Sequence, residues 1–404
     1  MDPLVQCSPP VQLTRRDCET NASVTLDNTS NVRFPHIDGL RAVAAFSVVV
    51  FHIGTVGTIG QPGDRDLIAS ASSKLLFGVT IFFVISGFVL YRPYVAAAAS
   101  NAPRPLSLHF WERRFRRIVP AYWVALAVTS VAAASAVTLS PRLWVYPVFL
   151  QTYDNDTLFR GLSVAWTLCV EVAFYAALPL YAYASRRWCY SSANAKSRLR
   201  AEIGLLCVAS AIALALRVPA SRLSSGGTVL LTTMPLLFFW FALGMGLAVV
   251  SVYRPSIRHR RTKFFTWGAW LLGVALAEST TVLGTPASST FLPTFSLPAH
   301  VMFGVAAALL LASLTLPAER DTYVHRLLAT RAFVWLGTIS YGVYLWHFPL
   351  VEELHRHGAS RFVVLVVAVP GATLAGALSY YLVERRFMTS RSTRLHAESR
   401  SSRK

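Results

Sequence analysis

Cysteine is scarce and unpatterned. Its five occurrences, Cys7, Cys18, Cys169, Cys189 and Cys207, form no CxxC pair and no metal-ligand spacing. No disulfide framework or metal site is therefore expected, and all five read as free thiols. Charge is sparse as well, at 14% of 404 residues, and lopsided, with 38 Lys and Arg against 19 Asp and Glu. The resulting net charge of +19 does not point to nucleic acid, because the basic residues punctuate apolar runs instead of gathering on a polar fold. The first 35 residues lack an apolar h-region, so no cleavable signal peptide is expected and the first span itself would direct insertion. No internal repeat of fixed period is found, and no long soluble insertion interrupts the chain.

What is abundant is apolar. Hydrophobic residues make up 54% of the chain and the mean hydropathy is +0.47, more than one soluble core of this length needs. Nearly uncharged stretches recur at bilayer length. They predict spans at 37–56, 75–91, 118–138, 164–184, 201–217, 230–252, 264–283, 299–316, 333–351 and 362–383. The expected fold class is an all-α polytopic membrane protein of about ten transmembrane helices. With both termini cytoplasmic, about 30 of the 38 Lys and Arg fall on the cytoplasmic side and about 8 outside, as positive residues are retained inside. Residues 1–35 read as a disordered cytoplasmic arm, 36–388 as a ten-helix membrane domain and 389–404 as a basic cytoplasmic tail. The segment 140–162, with Trp144, Tyr146, Phe149 and Tyr153 among few charges, reads as interfacial on the outer face.

Several polar groups interrupt the apolar background. Arg41 and His52 lie eleven residues apart in the first span, so they share a helix face and differ by roughly 16 Å in depth. Arg41 reads either as a membrane anchor or as part of a site. For His52 the alternatives are a structural hydrogen bond between helices and a functional group, since ionisable side chains in a bilayer are costly. In the fourth span Thr167, Glu171 and Tyr175 share a face. The Glu171 carboxylate needs a partner there, and pairing with His52 is the expectation; packing against another polar group is the alternative. Arg113, Arg114, Arg116 and Arg117 form a cationic patch ahead of the third span. Guanidinium forks suit phosphates, and anionic lipid headgroups explain the charge equally well. Ser86 beside Gly87 reads as a tight packing point or a substrate contact. Ser340, Tyr344 and His347 share a face of the ninth span, and with Trp346 and Pro349 close by His347 is expected to be structural, near an interfacial helix end.

Taken in order, the segments IDGLRAVAAFSVVVFH, GVTIFFVISGFVLYRPYV, FWERRFRRIVPAYWVAL, VAWTLCVEVAFYAALPL and ISYGVYLWHFPL resemble the membrane-bound acyltransferase-3 family of O-acyltransferases. The resemblance runs from His36 to the end of the last span. It implies a ten-helix domain that acylates carbohydrates of lipopolysaccharide, capsule, glycolipid or peptidoglycan, or macrolide antibiotics, from cytoplasmic acyl-CoA. Family roles carry over onto Arg41 and His52, the Arg113–Arg117 cluster, and Glu171 of the WTLxxE motif. The sequence departs from the pattern at Val172, where the family usually has a second acidic residue. It also shows no fused SGNH-type segment after the last span, so transfer is expected to be completed by this chain or a partner.

The expectation is thus an integral O-acyltransferase of the cytoplasmic membrane, moving an acyl group, with acetyl the expected one, from acyl-CoA to a hydroxyl of a carbohydrate, glycolipid or glycosylated small molecule. His52 and Glu171 would be catalytic; Arg41, Arg113, Arg114, Arg116 and Arg117 would bind the donor. Asp38, Ser86, Trp166, Tyr175, Tyr344 and His347 are substrate contacts or structural. Acyl-CoA is a co-substrate, with no tightly bound cofactor and no metal; membrane lipid is the other partner, and a homo-oligomer is compatible with this reading. The rival is a secondary transporter or exporter that uses intramembrane His and Glu without acyl transfer.

Overall fold

The structure, a computed structural model, describes residues 34–56, 72, 74–132, 142–190, 194–223, 226–253, 267, 269–273, 296–316 and 322–389. The chain divides into units Met1–Phe34 and Pro35–Lys404. The N-terminal arm and most of the basic tail lie outside the described residues, as do Cys7, Cys18 and most of the expected span at 264–283.

The helices are α1 (Pro35–Thr55), α2 (Phe77–Ala99), α3 (Ser107–Ala132), α4 (Trp166–Cys189), α5 (Ala195–Ala220), α6 (Gly227–Leu231), α7 (Met234–Tyr253), α8 (Leu297–Thr315), α9 (Tyr323–Leu328), α10 (Arg331–Arg356), α11 (Arg361–Ser379) and α12 (Arg385–Thr389). A π turn, Tyr380–Glu384, joins the last two. In a bilayer every backbone polar group must be satisfied within the protein, which is why apolar stretches of this length resolve as helices. Among the described residues seven helical segments are long and apolar enough to cross a membrane. Helices α3 and α10 are not in that group, although each has 26 residues, about 39 Å of rise. Arginines at the start of α3, and Glu352, Glu353 and Arg356 at the end of α10, dilute their hydropathy. The chain is a multi-pass, all-α membrane protein.

Helices α1, α2, α7 and α10 form the packed centre. A close crossing joins α2 to α7 through two glycines: a Cβ on Gly244 would stand 1.9 Å from the Val84 carbonyl oxygen, and one on Gly87 would stand 2.2 Å from that of Phe241. Small residues permit such approach where apolar lipid supplies no force of its own. Gly337 similarly lets α10 lie against the backbone of Asp38 on α1. At the periphery, only 22% of the span in α5 and 28% of that in Arg361–Met388 is buried, against 61% for α1. Val208, Ile212 and Leu216 of α5 and Val366 and Leu374 of α11 are exposed, as lipid-facing side chains are.

Residues 142–165, ahead of α4, include three 3₁₀ turns. Of the rings of Trp144, Tyr146, Phe149 and Tyr153, two pack into the protein and two stay exposed. Tyr146 and Phe149 are buried: the Tyr122 hydroxyl donates to the Tyr146 carbonyl at 2.8 Å, and the rings of Tyr122 and Phe149 lie 4.4 Å apart. Trp144 and Tyr153 remain exposed. Cys169, Cys189 and Cys207 are free thiols.

Candidate active site

The antiparallel helices share a basic end, where α1, α3 and α10 begin and α2 and α4 finish, and an opposite, histidine end. Arg41 lies two turns into α1 from the basic end and His52 one turn from its other terminus. His52 is only partly buried, and its ring is held edge-on by Phe51 at 4.7 Å and Phe348 at 5.0 Å.

The partner of His52 is His347, not Glu171. Nε2 of His347 lies 3.0 Å from Nδ1 of His52. That Nδ1 is also 2.9 Å from the Val48 carbonyl oxygen, and Nδ1 of His347 is 3.2 Å from that of Val343. One proton assignment satisfies all three contacts. His347 donates from Nδ1 to Val343, and its bare Nε2 accepts from the His52 Nδ1–H, which is shared with Val48. His52 then keeps a lone pair on Nε2, an atom with no hydrogen-bond partner among the described residues. The expected helix end at His347 is not found. Helix α10 continues through Pro349 to Arg356; the missing backbone donor and the ring's crowding of the preceding turn are tolerated in a membrane helix where neighbouring elements satisfy the freed carbonyl. His347 is consequently fully buried in the centre.

One turn toward the basic end the Tyr344 hydroxyl meets the Thr167 hydroxyl at 2.8 Å, and Phe82 packs edge-on against Tyr344. One turn further along α4 comes Glu171, which accepts from Ser86 Oγ at 2.8 Å and from the Tyr175 hydroxyl at 2.6 Å. The Thr167–Tyr344 contact fixes the register between α4 and α10. It sets Glu171 about 6 Å below Thr167 and His347 about 4.5 Å above Tyr344, too far apart to pair. Ser86 is therefore a ligand of Glu171, while Gly87 beside it makes the tight crossing. Ser340 bonds its own helix at Gly337, and Tyr341 donates to the Ile118 carbonyl of α3. Trp166 stands buried at the start of α4.

Glu171 belongs electrostatically with the arginines. Arg41 lies within reach of Arg117, Asp38, Glu171 and Tyr175, and Arg114 within reach of Tyr175, Arg117 and Glu171. The four-arginine run is helical, so it splits by face. Arg114 and Arg117 turn inward, Arg114 lying 5.9 Å from the ring centroids of both Phe110 and Tyr175. Arg113 is exposed, and Arg116 forms a salt bridge with Glu112 at 2.8 Å. Among the described residues Arg41, Arg114 and Arg117 hold no salt bridge. The structure thus places a cluster of arginines toward one end and an imidazole pair toward the other, with the hydroxyls of Tyr175, Ser86, Thr167 and Tyr344 at the levels between them.

The signal for His347 was present in its i, i+3 spacing from Tyr344. A residue not singled out is Glu384, a lone carboxylate at the end of the last apolar run; it is 2% exposed.

This arrangement of motif residues in a helical membrane domain agrees with comparison at the sequence level. The acyltransferase-3 profile, an acyltransferase domain, matches residues 34–382, and the chain belongs to that family. It is similar to the peptidoglycan O-acetyltransferase OatA of Listeria monocytogenes, 26% identical over 340 residues, 78% of this chain and 49% of that protein. It is also similar to nodulation protein 10 of Rhizobium leguminosarum bv. viciae, 27% identical over 89% of this chain and 94% of that one. Acyltransferase MdmB of Streptomyces mycarofaciens is 26% identical over 87% and 91%. The chain thus spans about half the length of OatA and nearly the full length of the other two. No solved structure matches.

Proposed function

We propose that the protein is an O-acyltransferase of the cytoplasmic membrane, with its basic end and both termini in the cytoplasm. It moves an acetyl group from acetyl-CoA to a hydroxyl of a carbohydrate, glycolipid or glycosylated small molecule. The observation that carries this reading is the His52–His347 pair, which leaves one imidazole lone pair open above a set of arginines without salt bridges. The names of the relatives, O-acetyltransferase and acyltransferase, support the same chemistry.

Arg114, Arg117 and Arg41 hold the donor's phosphates, for which guanidinium forks are well shaped. The pantetheine arm then runs past Glu171, Ser86 and Tyr344, and the thioester carbonyl arrives at the level of the histidines. The acceptor hydroxyl enters from the opposite end. His52 Nε2 takes its proton as the oxygen attacks the thioester carbon, and the tetrahedral adduct collapses with cleavage of the carbon–sulfur bond. The proton passes from the imidazolium to the departing CoA thiolate. His347 accepts the His52 Nδ1–H, which fixes the tautomer and stabilises the ring when it is charged. Thr167 and Tyr344 supply hydroxyls beside the path. Purified protein given radiolabelled acetyl-CoA and candidate glycan acceptors tests the reading: label in the acceptor supports it, and transport of the acceptor without labelling overturns it.

A further inference from the structure

The last membrane helix does not finish as an α-helix. After Ser379, α11 widens into the π turn Tyr380–Glu384 before α12 resumes. Such turns are rare and concentrate at functional positions, because the extra residue re-aims the side chains that follow by about 100°. Here it turns one carboxylate inward. Glu384 is 2% exposed, whereas Tyr381, Leu382 and Phe387 around it are 45%, 53% and 50% exposed. The π turn packs on α3, the helix that carries the arginine run, and Ser379 Oγ lies 3.4 Å from the Glu384 carboxylate.

A carboxylate this deep in a membrane domain is costly without opposite charge nearby. Arg117 and Arg41 lie within its electrostatic reach, outside salt-bridge distance. These two guanidiniums also repel one another. Glu171 is within electrostatic reach of Arg41 as well, so carboxylates from two elements, α4 and the π turn, act on these cations. Their attraction offsets the repulsion between the two guanidiniums, neither of which holds a salt bridge among the described residues.

We propose that Glu384 is a positioning residue of the donor site: buried on a π turn against α3, it supplies the counter-charge that holds Arg117 and Arg41 together ready for the donor's phosphates. The inference rests on the reading of these arginines as the phosphate site. Donor phosphates then meet a preformed cationic pair and spend no binding energy on gathering it.

The test is a double-mutant cycle read by calorimetric binding of coenzyme A to the purified full chain. Glu384→Gln keeps shape and removes charge; it is expected to weaken CoA binding about five-fold while leaving kcat within about two-fold. In an Arg117→Ala background the same change is expected to have no further effect. An equal loss in both backgrounds, a loss confined to kcat, or unchanged affinity overturns the proposal. Should the glutamine variant not survive extraction, Glu384→Asp enters the same cycle, with about a two-fold loss expected in the parent alone. If Arg117→Ala itself leaves CoA affinity intact, the donor-site reading fails and this inference with it. If Arg117→Ala weakens CoA and Glu384→Gln does not, only the role of Glu384 fails.

Discussion

The imidazole of His347 rests against that of His52, Nε2 to Nδ1 at 3.0 Å, although 295 positions separate them in the chain. In the proposed mechanism Nε2 of His52, which holds no hydrogen bond among the described residues, is the base. His52→Ala is therefore expected to abolish acetyl transfer while CoA still binds, a loss on the order of 10² to 10⁴ in kcat. His347→Ala, which leaves the base in place but unoriented, should cost less, about ten- to a hundred-fold. Near-normal turnover by His52→Ala, measured with purified protein and a defined acceptor, removes the general-base assignment.

Arg114 and Arg117 face the interior, while Arg113 is exposed and Arg116 is paired with Glu112. Replacing Arg114 and Arg117 together with Ala should raise KM for acetyl-CoA at least about ten-fold, with little change in KM for the acceptor. The Arg113 and Arg116 double replacement should change it by less than about three-fold. Lys at 114 and 117 should rescue only in part, because the fork is lost and the charge kept. Full rescue by Lys points to lipid headgroups as the true counter-ions.

Glu171 bonds Ser86 and Tyr175 and does not reach His52. Glu171→Gln is expected to lower kcat/KM for acetyl-CoA about ten-fold without moving the pH dependence of kcat. A displaced pH profile shows that the carboxylate acts on the imidazole after all.

The sidedness of the proposal is open to thiol labelling. Leu106 is 64% exposed at the basic end and Trp144 is 62% exposed at the histidine end. In a background without native cysteines, Trp144→Cys should react with an impermeant reagent in intact cells, and Leu106→Cys only after permeabilisation. The reverse pattern inverts the topology.

The α2–α7 crossing makes a stability prediction. Gly244→Ala places a Cβ against the Val84 backbone and should destabilise the detergent-solubilised protein by about 1–3 kcal/mol. Gly204→Ala meets nothing within 4 Å and should be neutral or slightly stabilising. Equal thermal midpoints for the two variants contradict the close approach.

The parts of this site that depend on one helix were legible in the sequence. Helical periodicity alone aligned Arg41 with His52, and Thr167 with Glu171 and Tyr175. Relations between helices were not, because the depth of one span against another is set by packing, such as the Gly337–Asp38 contact, that leaves no mark on local periodicity. That is why Glu171 was matched with His52 and not with Ser86 and Tyr175, and why Pro349 suggested an end to a helix that in fact runs on. Helices α3 and α10 show the same limit for the fold. Their charged ends serve the site or the surface and thin out the hydropathy by which a span is recognised.

The rise of roughly 16 Å from Arg41 to His52 gives the proposed reaction a direction. Coenzyme A stays anchored where it entered and, once emptied, leaves by the same door. Only the acyl group passes through to the far compartment. On that proposal the thioester's own group-transfer energy would drive a vectorial export of a small fragment, and the acylated acceptor would accumulate on the side of the membrane away from the donor.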